Sequence, residues 1–189
     1  MKKRFALLLA IALLAIVPAG CAGGNGDPSS APSSPISSNA ANSPAPAEIL
    51  AAIQAAYGDD YLATMEMPDE MFEGEFPLDK SLIQDKAAQM PAMSVHPDRV
   101  VVIRAVPGKG AEVEKALQAA RERFVSDSIQ YPMNAAKVQA SQVVRNGDTA
   151  AFLLVGGPNG DPDADEAEAL QFAKNETKKA VDAFYGAFS

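Results

Sequence analysis

The run Arg99-Val100-Val101-Val102-Ile103-Arg104-Ala105-Val106 is the clearest strand signal in this chain of 189 residues. Its β-branched residues favour extended backbone, and the run is apolar on both faces, which is typical of a central strand. Pro107-Gly108-Lys109-Gly110 ends it, because proline and glycine break regular structure. We therefore expect a sheet that contains this run in its interior.

Working outward from this strand, the sequence predicts further elements on both sides. Residues 81–88 alternate weakly and predict a first, edge strand, and residues 141–155 predict a hairpin. The hairpin is expected to turn at Asn146-Gly147, which would set Arg145 opposite Asp148. Helices are predicted at residues 47–57, 111–128, 132–140 and 163–188 from apolar spacing and from Pro46, Gly58 and Pro132 near their ends.

The predicted order is helix, two strands, helix, short helix, hairpin and helix. This order indicates an α+β fold, with a small antiparallel sheet of about four strands packed against helices. A ferredoxin-like arrangement would need a strand-helix-strand unit at the outset, and the sequence lacks one. Residues 59–80 predict a short helix or an extended loop that packs its aromatic side chains.

The N-terminal stretch indicates the cellular location of the domain. Three basic residues precede thirteen apolar residues from Phe5 to Val17, and Cys21, the only cysteine, follows Gly20. This resembles the lipobox of bacterial lipoproteins. The resemblance implies a signal peptide over residues 1–20, cleavage between Gly20 and Cys21, and a diacylglycerol on the Cys21 thiol that anchors the chain in the membrane.

The lipobox departs from its family at Pro18, where an aliphatic residue is usual three positions before the cysteine. The alternative is an ordinary secretory signal that is cut after Ala22. Against it, a lone cysteine would be an unpaired thiol in an oxidising compartment. Two or three acyl chains, at about 0.8 kcal/mol per buried methylene, would make the anchor stable.

Residues 21–46 follow as a separate segment, rich in serine, proline, alanine and glycine. Such a composition buries too little to offset its ordering entropy, so we expect a disordered spacer. An O-glycosylated stalk is the alternative. Residues 47–189 then form a single globular domain.

The charge balance excludes two classes of partner. The chain without residues 1–20 has 13 basic and 24 acidic residues. Nucleic-acid binding needs clustered lysine and arginine, and an anionic membrane surface repels net negative charge. We expect a monomer whose contact with the membrane is made by its lipid, with an envelope protein as a further partner.

The ordered elements resemble a known family. They are Asp98 to Ile103, a helix that ends in Phe124, Tyr131-Pro132 before a short helix to Ala140, and Asn146-Gly147-Asp148 before an aliphatic strand. Over roughly residues 60–156 this order is similar to a family of bacterial lipoproteins known only as a domain of unknown function (family 4358). The resemblance implies a lipid-anchored extracellular domain and supplies no catalytic residue.

Four features of the sequence are candidate sites. His96 is the only histidine, and it could act as a base only if a nucleophile and an orienting acid met it in space, so a surface or turn position is the alternative. The acids of residues 161–165 imitate the start of a calcium loop, but Glu166 and Phe172 stand where glycine and glutamate are needed, which favours a helix start instead.

Methionines form the one cluster with a conceivable cofactor, because thioethers can bind Cu(I). The alternative is that these methionines fill gaps in the core. Residues 59–76 could likewise be a binding loop or a flap over one sheet edge. The metal candidates are Met65, Met67, Met71, Met90 and Met93, near His96.

These observations predict a non-enzymatic, lipid-anchored binding or interaction module outside the cytoplasm. It would have no catalytic residue and no cofactor. The alternative is a solute- or metal-binding lipoprotein that serves a membrane transporter.

Overall fold

The structure is a computed structural model, and it describes residues 43–93, 96–126, 132–157 and 164–189. In these ranges the chain forms five α-helices and five strands. The helices are α1 (Pro46–Tyr57), α2 (Asp69–Glu75), α3 (Gly110–Ser126), α4 (Pro132–Ala140) and α5 (Glu166–Gly186). The strands are β1 (Met65–Glu66), β2 (Ile83–Met90), β3 (Arg99–Ala105), β4 (Gln142–Asn146) and β5 (Thr149–Leu154).

The strands form one antiparallel sheet in the order β1-β2-β3-β5-β4. The β-branched run is the middle strand, as its composition predicted, and Val101 lies between Ala88 of β2 and Phe152 of β5. The predicted α+β class, an antiparallel sheet packed against helices, is confirmed. Among the described residues, no helix has both the length and the apolar character that a membrane span requires.

Helices cover both faces of the sheet. Successive side chains of β3 point to alternate faces, and both sets are apolar, so each face packs against helices. Val101 and Ile103 pack with α2 and α3, whereas Val100 and Val102 pack with α1 and α5. Fully burying one such aliphatic side chain contributes about 1.5–3 kcal/mol. Other large core residues include Phe72, Phe76, Leu117 and Phe152 on one face, and Ile49, Ile53, Leu153 and Phe184 on the other.

Two strand predictions need correction. The sheet has five strands rather than four, because Met65 and Glu66 form a strand too short to produce a periodic pattern. Residues 81–88 were expected at the sheet edge, but β2 is the second strand, with β1 paired outside it at Gln89 and Met90.

The hairpin turn is also one residue later than predicted. Asn146 pairs with Thr149, so Gly147 and Asp148 are the turn residues and Arg145 lies opposite Ala150. A tertiary contact outweighs the local Asn-Gly preference. The Asp148 carboxylate accepts hydrogen bonds from the backbone N–H of Gly108 (3.0 Å) and Gly110 (3.1 Å), which joins the hairpin to the start of α3.

Helix ends follow the predicted signals. Pro46 begins α1, and Gly58 ends it with a positive φ of 56°, which glycine adopts readily. Asp165 caps α5: its carboxylate accepts from the Glu168 N–H, and the Glu168 carboxylate accepts from the Asp165 N–H. The acids at 161 and 163 lie outside the described residues.

Candidate functional site

Asp98 is a fully buried carboxylate immediately before β3, at 0% exposure. Lys137 of α4 donates to its Oδ1 at 2.9 Å and to the backbone oxygen of Gly156 at 3.0 Å. Gly156 follows β5, and antiparallel pairing puts the end of β5 beside the start of β3. One ammonium group therefore joins α4 to two central strands.

His96 approaches the same carboxylate from the turn before β3. Its Nδ1 lies 3.3 Å from Oδ1 of Asp98 and 3.5 Å from the Asp98 backbone nitrogen. A proton on Nδ1 would bond to Oδ1, whereas an unprotonated Nδ1 accepts from the backbone N–H. Burial lowers the pKa of His96, with Lys137 and Arg99 acting the same way against the raising effect of Asp98. His96 is therefore neutral at pH 7.

The second oxygen of Asp98 has no hydrogen-bond partner in the part of the chain that the structure describes. Burial raises the pKa of Asp98, while Lys137, His96 and the backbone amide of Gly156 oppose that rise. The Gly156 amide is close enough to influence the pKa, but it completes no hydrogen bond to Oδ2. A buried acceptor without a donor costs about 1–3 kcal/mol, so this oxygen requires an explanation.

A second carboxylate, Glu176 of α5, lies beside this group. Its Oε2 accepts from the Gly157 N–H at 3.0 Å, and its Oε1 lies 2.7 Å from Nζ of Lys179. Burial raises the pKa of Glu176, but Lys179, the Gly157 amide and Lys137 outweigh burial and hold that pKa below its usual range. Glu176 is therefore ionised and well satisfied.

Two buried tyrosines are electrostatically linked to Asp98. The Tyr57 hydroxyl donates to the backbone oxygen of Glu176 at 2.7 Å, and the Tyr61 hydroxyl donates to Oε1 of Gln89 at 2.9 Å. Burial, reinforced by the Asp98 charge, raises the pKa of both tyrosines far above neutral pH. Both hydroxyls stay protonated and are committed as donors.

Glycine at positions 156 and 157 allows the end of β5 to pass close to α5. A Cβ on Gly157 would lie 3.0 Å from Oε2 of Glu176, and a Cβ on Gly156 would lie 3.0 Å from the Glu176 Cβ. Side chains at these positions would therefore press on the Glu176 side chain. We call Tyr57, Tyr61, His96, Asp98, Lys137 and Glu176 the Asp98 cluster.

The Asp98 cluster brings together part of what catalysis at His96 would require. Asp98 is the orienting acid that His96 needed. A nucleophile is missing from the described cluster, because the Tyr57 and Tyr61 hydroxyls are protonated and donate elsewhere. The described residues also contain no group of three or more His, Cys, Asp or Glu side chains placed to hold a metal ion.

The methionine candidates are divided between core and surface. Met67 and Met90 are buried in the core on the α2 and α3 face, whereas Met65, Met71 and Met93 are exposed. The Cu(I) hypothesis stays a prediction. In residues 59–76, Tyr61, Phe72 and Phe76 are buried in the core, which favours the flap over the binding loop. Cys21 and the residues of its signal peptide lie outside the described ranges.

Sequence reasoning named His96 but missed Asp98, Lys137 and Glu176 as site residues. Glu176 carried a usable signal, because it interrupts the apolar stripe of α5 between Ala173 and Thr177. Asp98 carried a weaker one, as an acid directly before an apolar strand. Lys137 carried none, since lysine is ordinary on a short helix.

Comparisons with known proteins place the domain in a family. Residues 56–155, more than half of the chain, match the family described as "Domain of unknown function (DUF4358)". The match spans Tyr57, Tyr61, His96, Asp98 and Lys137, and it ends before Glu176. No curated protein and no solved structure matches the chain significantly. The chain therefore belongs to the DUF4358 family, a family of domains of unknown function.

Proposed function

We propose that this protein is a lipid-anchored, extracytoplasmic binding module without enzymatic activity, and that its ligand contacts the Asp98 cluster. The observation that carries the proposal is Oδ2 of Asp98, which is buried and has no hydrogen-bond partner among the described residues. A ligand with an N–H or O–H group would supply the missing donor.

Stability alone is a poor reason for this arrangement. Replacing a buried ion pair with apolar residues of similar volume is often neutral or stabilising. The Asp98–Lys137 pair leaves one carboxylate oxygen unsatisfied, which makes it more costly still. Strongly perturbed titratable groups of this kind concentrate at functional sites.

Binding fits the cluster better than catalysis. Nucleophilic catalysis needs a nucleophile within hydrogen-bond reach of the base. The hydroxyls that line the cluster, on Tyr57 and Tyr61, are held protonated and point their protons at Glu176 and Gln89. The His96–Asp98 pair can hold or release a proton, and that ability tunes how a polar ligand is bound.

The N-terminal sequence supports the anchor. The leader ends at Cys21, and the serine- and proline-rich segment separates that cysteine from α1. The domain holds the last part of this segment, because the Arg104 guanidinium donates to the backbone oxygens of Ser43 (2.9 Å) and Pro44 (2.6 Å).

A solute-binding lipoprotein that serves a membrane transporter is the second candidate. It is favoured by the same oxygen, since a single unsatisfied acceptor matches one donor group of a small molecule. A protein partner would instead have to insert a donor side chain toward Asp98, which is fully buried.

The test uses the full chain, extracted from its producing membrane in detergent. Intact mass should show acyl chains on an N-terminal Cys21. Thermal melting is then followed with a panel of amino acids, amines and sugars. At least one should raise the melting temperature of the wild type by about 5–11 °C, because a ligand at about 100 times its Kd stabilises by about 2.7 kcal/mol and each kcal/mol shifts the melting temperature by about 2–4 °C.

The matched variants are Asp98→Asn at the cluster and Asp182→Asn on the exposed face of α5. The stabilisation should disappear in Asp98→Asn and persist in Asp182→Asn. An N-terminus after Cys21 without acyl chains would refute the anchor. Equal stabilisation of the two variants would refute the site, and turnover of ester, phosphate or peptide substrates would refute the non-enzymatic assignment.

A further inference from the structure

The outer side of β2 is open over residues 83–87. Outside β2, β1 pairs only with Gln89 and Met90, and the Met67 N–H adds one bond to the Ala88 oxygen. The chain then leaves the sheet at Pro68, which precedes α2. We call the outer side of residues 83–87 the open edge.

Strand geometry shows which backbone groups face outward. Both backbone groups of a residue point to the same neighbouring strand, and this direction alternates along the strand. The Ala88 oxygen points outward to Met67, so the N–H and C=O of Lys86 point outward as well. Neither group of Lys86 has a backbone partner on that side within the described chain.

The opposite edge of the sheet, β4, is covered differently. Its hairpin register turns the backbone of Arg145 outward, and the Tyr185 hydroxyl lies 3.5 Å from the Arg145 oxygen. Just before β4, the Arg121 guanidinium donates to the Ser141 oxygen at 2.6 Å. Side chains of α3 and α5 thus occupy acceptors along β4, and the open edge of β2 has no such contact among the described residues.

The lysine on the open edge does not guard it. Charged side chains commonly protect edge strands against pairing. The Lys86 ammonium instead lies against α2, 2.8 Å from Oδ1 of Asp69 and 4.8 Å from the centre of the Phe72 ring. The side chain therefore lies over one face of the sheet, and its charge is paired with Asp69.

We propose that the open edge binds an extended, basic segment of another protein as an added strand. The charge around the edge selects this partner. Glu66, Glu70 and Asp85 are exposed, and none of them forms an ion pair in the described part of the chain. Lys80 and Lys86 are already paired with Glu73 and Asp69. Arg104, which lies opposite Asp85 in β3, donates to the backbone oxygens of Ser43 and Pro44. The surface therefore offers unneutralised acids beside unpaired backbone groups.

A second copy of this chain fits the open edge less well. Two identical antiparallel strands are related by a two-fold axis, which sets a residue opposite itself. When the axis lies at the middle of the open edge, at Asp85 or at Lys86, that arrangement places Asp85 opposite Asp85 or Lys86 opposite Lys86. Like charges directly opposite each other are unfavourable. The proposed surface is separate from the Asp98 cluster and does not depend on a ligand there.

The experiment uses the full chain in detergent and a seven-residue peptide that alternates lysine and valine. Residue-resolved hydrogen exchange should show the Lys86 backbone amide slowed at least about tenfold at saturating peptide, because strand addition gives this amide a partner. The Val143 amide, on the outer side of β4, should not change. A matched peptide that alternates glutamate and valine should bind at least about tenfold more weakly.

Two variants separate edge pairing from general attraction. Lys86→Pro removes the outward N–H and should abolish binding, whereas Lys86→Gln keeps it and should bind normally. Asp85→Lys changes only an exposed charge and should weaken binding several-fold even if Lys86→Pro fails to fold. Unchanged exchange at Lys86, equal binding of the acidic peptide, or a dimer whose Lys86 amide is protected without peptide would overturn the proposal.

Discussion

Asp98 and Arg99 are consecutive, buried and oppositely charged, yet they are satisfied to very different degrees. Nε and Nη2 of Arg99 donate to the two carboxylate oxygens of Glu75 at 2.8 and 2.9 Å. Nη1 donates to the backbone oxygens of Asp98 (2.8 Å) and His96 (3.2 Å). Asp98, in contrast, uses one carboxylate oxygen and leaves the other without a partner among the described residues.

The alternation of β3 sends the two side chains to opposite faces of the sheet. Arg99 reaches α2, where Glu75 also accepts from Arg123 of α3 through its backbone oxygen at 2.9 Å. Arg99 therefore cross-links a strand to the helices of one face. Asp98 faces α4 and α5, where its environment disfavours its charge. The fold accounts for the burial of Arg99, because its donors are bonded to Glu75 and to backbone oxygens. It does not account in the same way for the burial of Asp98, which keeps one carboxylate oxygen without a partner among the described residues.

The largest expected effect comes from breaking the satisfied pair. Arg99→Met leaves the partly buried Glu75 carboxylate without its counter-ion, and removing one partner of a buried pair costs about 3–5 kcal/mol. Urea unfolding of the full chain should show that loss. Adding Glu75→Gln should recover part of it, since the stranded charge is gone. A loss below about 1 kcal/mol would show that Arg99 is not the structural member of the comparison.

The sequence predicted the parts of the fold that local chemistry determines. The β-branched run gave the central strand, and Pro46 and Gly58 gave the ends of α1, because these signals act within a few residues. β1 escaped prediction because a two-residue strand exists only through its pairing with β2. The hairpin turn moved by one residue because Asp148 bonds to a segment about forty residues earlier in the chain.

The candidate site was less predictable for the same reason. His96 could be named because it is the only histidine. Lys137, which donates to the same Asp98 carboxylate, lies 41 positions from His96 and becomes relevant only after α4 packs beside α5 and the end of β5. Whether Asp98 is exposed or fully buried also depends on helices that are distant in sequence. Residue type and spacing therefore indicated one member of the Asp98 cluster, and tertiary packing selected the others.

The next prediction concerns Gly157, whose backbone contacts Glu176 of the Asp98 cluster. Gly157→Ala places a methyl group 3.0 Å from Oε2 of Glu176, the atom that accepts the Gly157 N–H. Overpacking of this kind costs about 1–3 kcal/mol. Gly74→Ala is the control, since Gly74 lies in α2 with open space around it and alanine favours a helix by about 0.5–1 kcal/mol. The melting temperature should fall in Gly157→Ala and rise in Gly74→Ala. A similar fall in both variants would contradict the close approach of residue 157 to Glu176.

The smallest expected effect on stability is that of Asp98→Asn, although it removes a buried charge. Asparagine keeps an acceptor for Lys137, which also retains the Gly156 oxygen, and it removes a carboxylate whose ionised form burial disfavours. Lys137 also keeps a counter-charge, because the Glu176 carboxylate interacts with it electrostatically. We therefore expect a change below about 1.5 kcal/mol at pH 7, well under that of Arg99→Met, whose partner Glu75 is left without a cation. If Asp98→Asn instead unfolds the domain, Asp98 is as structural as Arg99 and the distinction between them fails.

The same variant has a clear effect on the titration of the only histidine. Burial lowers the folded-state pKa of His96, so its contribution to stability is present above pH 6.5 and is lost as the pH falls through the folded pKa. Burial raises the pKa of Asp98, so its contribution to stability has the opposite pH dependence: it is present below pH 3.8 and is lost as the pH rises through the folded pKa.

NMR titration of His96 should give a midpoint below 6.5 in the wild type. The midpoint should fall further in Asp98→Asn, because the carboxylate that favours the imidazolium is gone. An unchanged midpoint would mean that the 3.3 Å contact between Nδ1 of His96 and Oδ1 of Asp98 carries no electrostatic coupling.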